Sequence, residues 1–181
     1  PLDLRLNQEK GISAAERLDN ISVEELAGML YENSDEPYCE ELAKAITTEI
    51  RKGNRIDTTT KLRNVIEKTL DFLPNNKEKK DIIKKTCQRT FQALRIDVNN
   101  EFEVLYEFME KLPGALKPGG RVAILTFHSG EDKLVKKALK AGYKEGIYSE
   151  YARDVVRPSA QECAQNGRAR STKMRWAVKA E

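Results

Sequence analysis

From residue 12 to about residue 97 the apolar positions recur every three or four residues, and beyond about residue 116 they gather into short runs and alternations. The first regime predicts amphipathic helices, the second a mixture of strands and helices. Ser13-Ala-Ala-Glu16 and Ser22-Val-Glu-Glu25 match the capping box, in which a hydroxyl and a carboxylate satisfy amides at a helix start. Ile21 and Leu26 have the spacing of a hydrophobic staple, and Val23, Leu26, Ala27 and Leu30 form one stripe. Cys39, Leu42, Ala43, Ile46 and Ile50 predict a helix from about Pro37 to Lys52, with Gly53 as a left-handed stop. Thr58 or Thr59 caps the next, whose Leu62, Val65, Ile66, Thr69 and Leu73 share a face up to Pro74. Residues 75–80 read as polar loop. From Ile82 the helical period resumes, with Phe91, Leu94, Val98 and Leu105 on one face and Arg89, Gln92, Arg95 and Asn99 on another.

The change of period comes at Lys117-Pro-Gly-Gly120, a helix-breaking turn. Arg121 to Phe127 then reads as a continuous apolar strand, the pattern of a parallel strand covered on both faces. Ser129 is placed to cap a following helix in which Leu134, Val135, Ala138 and Leu139 face inward until Gly142. Residues 154–156 suit a short strand. Met174, Trp176 and Val178 alternate with Lys173, Arg175 and Lys179, a half-buried strand at a sheet edge or next to it. The expected organisation is a linker over residues 1–11, a helical region over 12–97 and an α/β region over 98–181, with no internal repeat.

Length and composition narrow the chemistry. A chain of 181 residues buries a core without covalent staples. Cys39, Cys87 and Cys163 are odd in number and lack any Cys-x-x-Cys pairing, so neither a disulfide framework nor a metal site is expected, and a reducing compartment is favoured. The apolar runs fall far short of the roughly 20 residues of a spanning helix, so an intracellular protein without a membrane span is expected. A net charge of +3 says little, but Arg168, Arg170, Lys173 and Arg175 lie between Asn166 and Arg175 with no acidic neighbour. Such a cluster suits phosphate contacts that position RNA, or an edge strand guarded by cations. His128, the single histidine, falls at the strand-to-helix junction, where open α/β sheets place ligands. Ser129 and Asp132 are explained first as helix cap and helix-start charge. Arg89, Gln92 and Arg95 suit either phosphate contacts or an ion-pair network between the two regions. Tyr143, Tyr148 and Tyr151 suit either base stacking or a surface loop.

Five blocks carry a resemblance: Pro1-Leu-Asp-Leu-Arg-Leu-Asn7, Phe91 to Glu101, Leu116-Lys-Pro-Gly-Gly-Arg121, Thr126-Phe-His-Ser-Gly-Glu-Asp132 and Asn166 to Arg175. In that order they resemble the RsmH (MraW) methyltransferases, over essentially the whole chain. The resemblance implies S-adenosyl-L-methionine-dependent methylation of a cytidine N4 amine in small-subunit ribosomal RNA, on an α/β Rossmann-like fold interrupted by a helical insertion. It implies a target-amine acceptor at Asp3 and supports a site-lining role for His128, the two candidate catalytic residues; the candidate RNA contacts are Arg5, Ser129, Arg168, Arg170, Lys173 and Arg175. Asn7, Gly130 and Lys133 stand where the family usually has Asp, Leu and Arg. It also implies the small ribosomal subunit as partner, a homodimer as one open assembly, and the bacterial cytoplasm or an organellar matrix or stroma as location. A non-catalytic RNA-binding or ribosome-assembly module is the alternative.

In the family the glycine-rich donor loop precedes the Pro-Leu-Asp block, whereas Gly119-Gly120 precedes a strand and reads as a turn. The expectation is that this chain alone binds S-adenosyl-L-methionine weakly or not at all. Calorimetric titration checks it, and low-micromolar affinity would overturn it.

Overall fold

Side-chain caps fix the helix starts of the N-terminal half. Ser13, ahead of α1 (Ala14–Asn20), accepts from the Glu16 N–H at 3.3 Å while the Glu16 carboxylate accepts from the Ser13 N–H at 2.7 Å, so the box is complete. Ser22 caps α2 (Val23–Ser34) through the Glu25 N–H at 3.1 Å, but the Glu25 carboxylate is drawn away to Arg17 at 2.6 Å and that box is half made. Ile21 and Leu26, the expected staple, are both buried. In this computed structural model, which describes residues 1–181, α3 (Cys39–Arg51), α4 (Thr59–Thr69) and α5 (Lys77–Asn99) follow. Leu18, Leu26, Leu30, Leu42, Ile46, Leu62, Ile66 and Leu94 close one core among them.

Two helix boundaries differ from the periodicity. α5 begins at Lys77 instead of Ile82, because Asn76 accepts from the Lys79 N–H at 2.9 Å; a first turn of polar residues has no apolar period to read. The stretch running on to Leu105 is two helices, since Asn100 adopts φ 48° and α6 (Glu101–Ala115) starts anew. The chain divides into two compact units, residues 1–101 and 102–181, so the division falls four residues beyond the expected one. Residues 1–11 belong to the helical unit instead of forming a linker. Leu2 is buried in its core and donates its N–H to Asp57 O at 2.8 Å, and Ala14 and Ala15 donate to Asp3 O and Leu2 O.

The polar stripe of α5 is spent inside this unit. Glu36, fully buried, accepts from Arg89 Nε at 2.6 Å and from the Tyr38 N–H at 3.0 Å; Gln92 donates to Asn33 O at 3.3 Å, and Arg95 to Glu101 at 2.7 Å. A buried carboxylate needs such partners, since an unpaired one costs several kcal/mol.

The second unit continues from α6 through β1 (Arg121–Thr126), α7 (Ser129–Lys144), β2 (Tyr148–Tyr151), the short α8 (Ala160–Gln165), a 3-10 turn (Gly167–Ser171) and β3 (Lys173–Lys179). The sheet has the order β1-β3-β2 and both pairings are antiparallel. The pairing within this chain is therefore not the parallel one expected: β1 pairs only with β3 and is an edge of this sheet, and its Leu125 and the adjacent Phe127 are exposed. The continuous apolar run matched a two-sided strand, but in this structure only one face carries a helical layer. On that face Val122 and Ile124 pack with Val135 and Leu139 of α7 and Met109 and Leu112 of α6.

The parity of β3 is likewise the reverse of the expected one. Arg175 and Ala177 are the buried residues, and Met174, Trp176 and Val178 lie on the layer-free face opposite Leu125, Ala123 and Arg121. The reason is an ion pair. Arg175 Nε donates to Asp132 Oδ1 at 2.7 Å and Nη2 to Oδ2 at 3.0 Å, with both side chains largely buried, so this basic residue is satisfied inside. Farther along the same face, the Lys179 ammonium donates to Pro113 O. The strand expected at 154–156 is reduced to one bridge, Val156 to Met174, and Tyr148–Tyr151 takes its place. Tyr148 is buried and structural, whereas Tyr143, exposed, and Tyr151, half-buried, lie against each other with ring centroids 5.0 Å apart. No helix is long and apolar enough to cross a membrane.

Breaking a buried pair strands a charge, at about 3–5 kcal/mol. Arg175→Ala should therefore lower the urea midpoint of the second unit, read by fluorescence of the single tryptophan, Trp176. Arg168→Ala, at an exposed position, should stay within about 0.5 kcal/mol of the parent. Equal effects would refute this assignment of Arg175.

Candidate functional site

The N-terminal block is held in one tight shape. Leu4 has φ 66°, a left-handed conformation that leucine seldom adopts, so the surrounding structure must impose it. Asn99 of α5 does so: its Nδ2 donates to Leu4 O at 2.9 Å and its Oδ1 accepts from the Leu6 N–H at 2.8 Å. Across that turn Asp3 and Arg5 meet in a two-pronged pair, Nε to Oδ1 at 2.7 Å and Nη2 to Oδ2 at 2.8 Å. The Arg5 N–H adds a third donor to Oδ1 at 3.2 Å, and Arg5 Nη1 donates to Gly11 O at 3.0 Å. The guanidinium beside it holds the Asp3 carboxyl at about 2. Asp3 is thus an acceptor and no general base. A carboxylate has about four lone-pair positions. Three are occupied, and one on Oδ2 remains for a donor.

A second group gathers where β1 ends, β3 begins and α7 starts, because Thr126 is opposite Lys173 in the register. The cap of α7 is His128, not Ser129: His128 Nδ1 accepts from the Glu131 N–H at 3.4 Å, and Ser129 is the first, exposed, helical residue. That acceptor role puts the ring proton on Nε2, which lies 3.4 Å from Glu131 Oε1 without the alignment of a hydrogen bond. The ring is fixed edge-on against Phe102, centroids 5.8 Å apart. Burial alone would push the Glu131 carboxyl up; the adjacent His128 and the Phe127 N–H, 3.0 Å from Oε2, outweigh it and hold it at about 2. Asp132 is also held low by Arg175. A carboxylate three residues beyond the cap was the available signal for this arrangement, read in the sequence only as helix-start charge.

The basic cluster splits. Arg168 and Arg170 project into solvent from the 3-10 turn, on either side of buried Ala169, with no carboxylate in ion-pair range. Lys173 is half-buried beside Asp132, and Arg175 is committed to Asp132, so Arg175 is not available to a phosphate. Asp3 and Arg5 belong to the first unit, and His128, Ser129 and the basic cluster to the second.

The glycine pair does not fit a methyl donor. Gly119, at φ 69°, gives its N–H to Lys179 O, and Gly120 gives its own to Lys117 O at 2.8 Å. A Cβ on Gly120 would lie 2.7 Å from Lys117 O. Both amides are spent in the turn that starts β1, and none is left to approach a ligand.

Comparison with known proteins agrees with the motif order. Ribosomal RNA small subunit methyltransferase H 1 of Agathobacter rectalis is 88% identical over 181 residues, covering all of this chain and 52% of that protein. The protein of the same name from Lachnoclostridium phytofermentans is 72% identical over 180 residues, 99% of this chain and 49% of its own length. Ribosomal RNA small subunit methyltransferase H 2 of Alkaliphilus metalliredigens is 61% identical, with 51% of its length covered. The chain thus spans about half the length of the curated relatives it matches. The family model described as the MraW methylase family matches residues 1–180, and the chain belongs to that family.

Proposed function

We propose that the protein methylates the N4 amine of a cytidine in small-subunit ribosomal RNA with S-adenosyl-L-methionine as donor, on a Rossmann-like fold of which residues 102–181 supply part. The observation that carries this reading is the family match over residues 1–180, together with relatives named as small-subunit ribosomal RNA methyltransferases. The layer-free apolar face of the sheet supports the fold reading, because Rossmann-like sheets carry helices on both faces. The Gly119-Gly120 amides are spent in a turn, so the residues of this chain act on RNA and the target amine.

In this reading Asp3 accepts a hydrogen bond from the target amine through its remaining Oδ2 lone pair. That amine's own lone pair is delocalised into the ring, and an acceptor on its hydrogens helps expose it for in-line attack. Arg5 fixes the carboxylate's direction and keeps it ionised. The base must leave its stack to be reached, at a cost of a few kcal/mol. His128, as cap, holds the start of α7 in place with Ser129 on its exposed side. Arg168 and Arg170 supply phosphate contacts that position the RNA without reading its sequence.

Two measurements test these roles. Arg168→Ala with Arg170→Ala, in a protein whose circular dichroism is unchanged, should weaken binding to a small-subunit RNA fragment and to unrelated RNA alike, and reduce the slope of log affinity against log salt by roughly 1.4–1.8. Retention of both affinity and slope would remove these arginines from the RNA surface. For Asp3, carbon-detected NMR should show the carboxyl titrating near about 2, moving up toward about 3.9 in Arg5→Ala. Because the folded value is depressed, the pair's contribution to stability is complete above about pH 4 and is lost as pH falls through about 2. An Asp3 midpoint unchanged by Arg5→Ala would dissolve the pairing.

A further inference from the structure

The second unit carries 15 Lys and Arg against 10 Asp and Glu, a net +5, whereas the first carries 17 against 19. Much of that excess sits on one helix. α7 holds Lys133, Lys136, Lys137, Lys140 and Lys144, and all five side chains are exposed. At 3.6 residues per turn these positions fall within about a 100° sector and extend roughly 16 Å along the axis. The opposite face is fixed in the core by Val135 and Leu139, both with no exposure, and by Gly142, where a Cβ would come 2.6 Å from the Tyr148 ring. The helix therefore cannot roll to hide its lysines.

No carboxylate lies in ion-pair range of Lys136, Lys137, Lys140 or Lys144, although Glu110 and Glu145 line the cavity beside Lys137. The two acids in the helix's first turn are engaged elsewhere, Glu131 with His128 and the Phe127 N–H, Asp132 with Arg175. Like charges three and four residues apart repel and destabilise a helix, and this face repeats that spacing along its length. A polyanion laid on it would relieve the repulsion and release counterions from its own phosphates.

We propose that the outer face of α7 is an RNA-backbone contact surface, in which Lys136, Lys137, Lys140 and Lys144 take successive phosphates of the RNA flanking the target. The proposal rests on the RNA-directed reading above and extends it to residues that none of the five sequence blocks includes. Three features select RNA over other anionic partners. The apolar face that a membrane-surface helix would insert is already buried against β1, β2 and α6. The lysine face is flanked by exposed aromatics, Tyr143 on α7 and Tyr106 beside Lys133 and Lys137, which can stack on bases. The stripe lies on the helix that His128 caps and starts about two turns beyond Ser129, so RNA lying along it leads away from the strand-to-helix junction.

The test uses the 181-residue chain, a small-subunit ribosomal RNA fragment and an unrelated RNA of equal length, over 50–200 mM salt. The fourfold variant Lys136→Gln, Lys137→Gln, Lys140→Gln, Lys144→Gln keeps good helix formers at every position. It should bind both RNAs at least about tenfold more weakly, with the log–log salt slope lower by about 3. The corresponding fourfold Lys→Arg variant should restore both, which separates charge from folding, and circular dichroism and Trp176 fluorescence check the fold. A folded Gln variant that keeps the parent's affinity and slope overturns the proposal. If that variant binds normally while Arg168→Ala with Arg170→Ala abolishes the salt dependence, the stripe falls and the proposed function stands. A parent chain with no RNA affinity overturns the proposal. Vesicles of phosphatidylcholine and phosphatidylserine form the last arm: tighter binding to them than to RNA, lost in the Gln variant, would replace RNA with an anionic membrane and overturn the proposal.

Discussion

The ion pair between Arg175 and Asp132 organises the second unit. It joins the middle strand of the sheet to the first turn of α7, and with the Thr126–Lys173 register it brings the end of β1, the start of β3 and the helix cap to one place. Because the pair lies on the inner face, it fixes which parity of β3 points inward. Shifting a strand by one residue would carry Arg175 to the layer-free face and leave Asp132 buried without its cation. The geometry around His128 and Ser129 therefore depends on a contact that in sequence separates two residues 43 positions apart.

An analogous device shapes the first unit. Asn99, near the end of a 23-residue helix, clamps the backbone of residues 4 and 6 and so imposes the left-handed turn at Leu4 that sets Asp3 against Arg5. In both units a polar side chain on a long, well-packed helix positions a short irregular segment carrying the chemistry. Precise placement of a carboxylate or a ring needs rigid support, and helices anchored in a core supply it.

Basic residues of this chain divide by role according to their surroundings. Arg5, Arg17, Arg89 and Arg175 each meet a carboxylate, most of them partly buried, and hold the structure together. Arg168, Arg170 and the lysines on the outer side of α7 face solvent. Proximity in sequence is a poor guide to this division: Arg170 and Arg175 are five residues apart, yet one is exposed and the other buried.

By itself the sequence determined the helical character of the first unit, its caps at Ser13 and Ser22, a third cap at Thr58 or Thr59, the turn at Gly119-Gly120, the strand that starts at Arg121 and the helix after it, because these follow from local period and local hydrogen bonding. The ordered motifs likewise identified the family. Tertiary structure decided the rest. Strand direction and order depend on pairing between β1 and β3, which the apolar run of β1 does not encode. The alternation of β3 gives two equivalent faces, and hydropathy favours burial of Met174 and Trp176, whereas the pairing of Arg175 with Asp132 turns the other face inward. His128 took the cap from Ser129 because the Glu131 N–H meets the imidazole first, a matter of side-chain geometry. Residues 1–11 showed no period and read as linker, yet their place is set by backbone bonds to Asp57, Ala14 and Ala15 and by the clamp of Asn99, 93 residues beyond Leu6. Local patterns report what a segment can do alone; which cation is buried, and beside which carboxylate, is settled only when distant segments share one core.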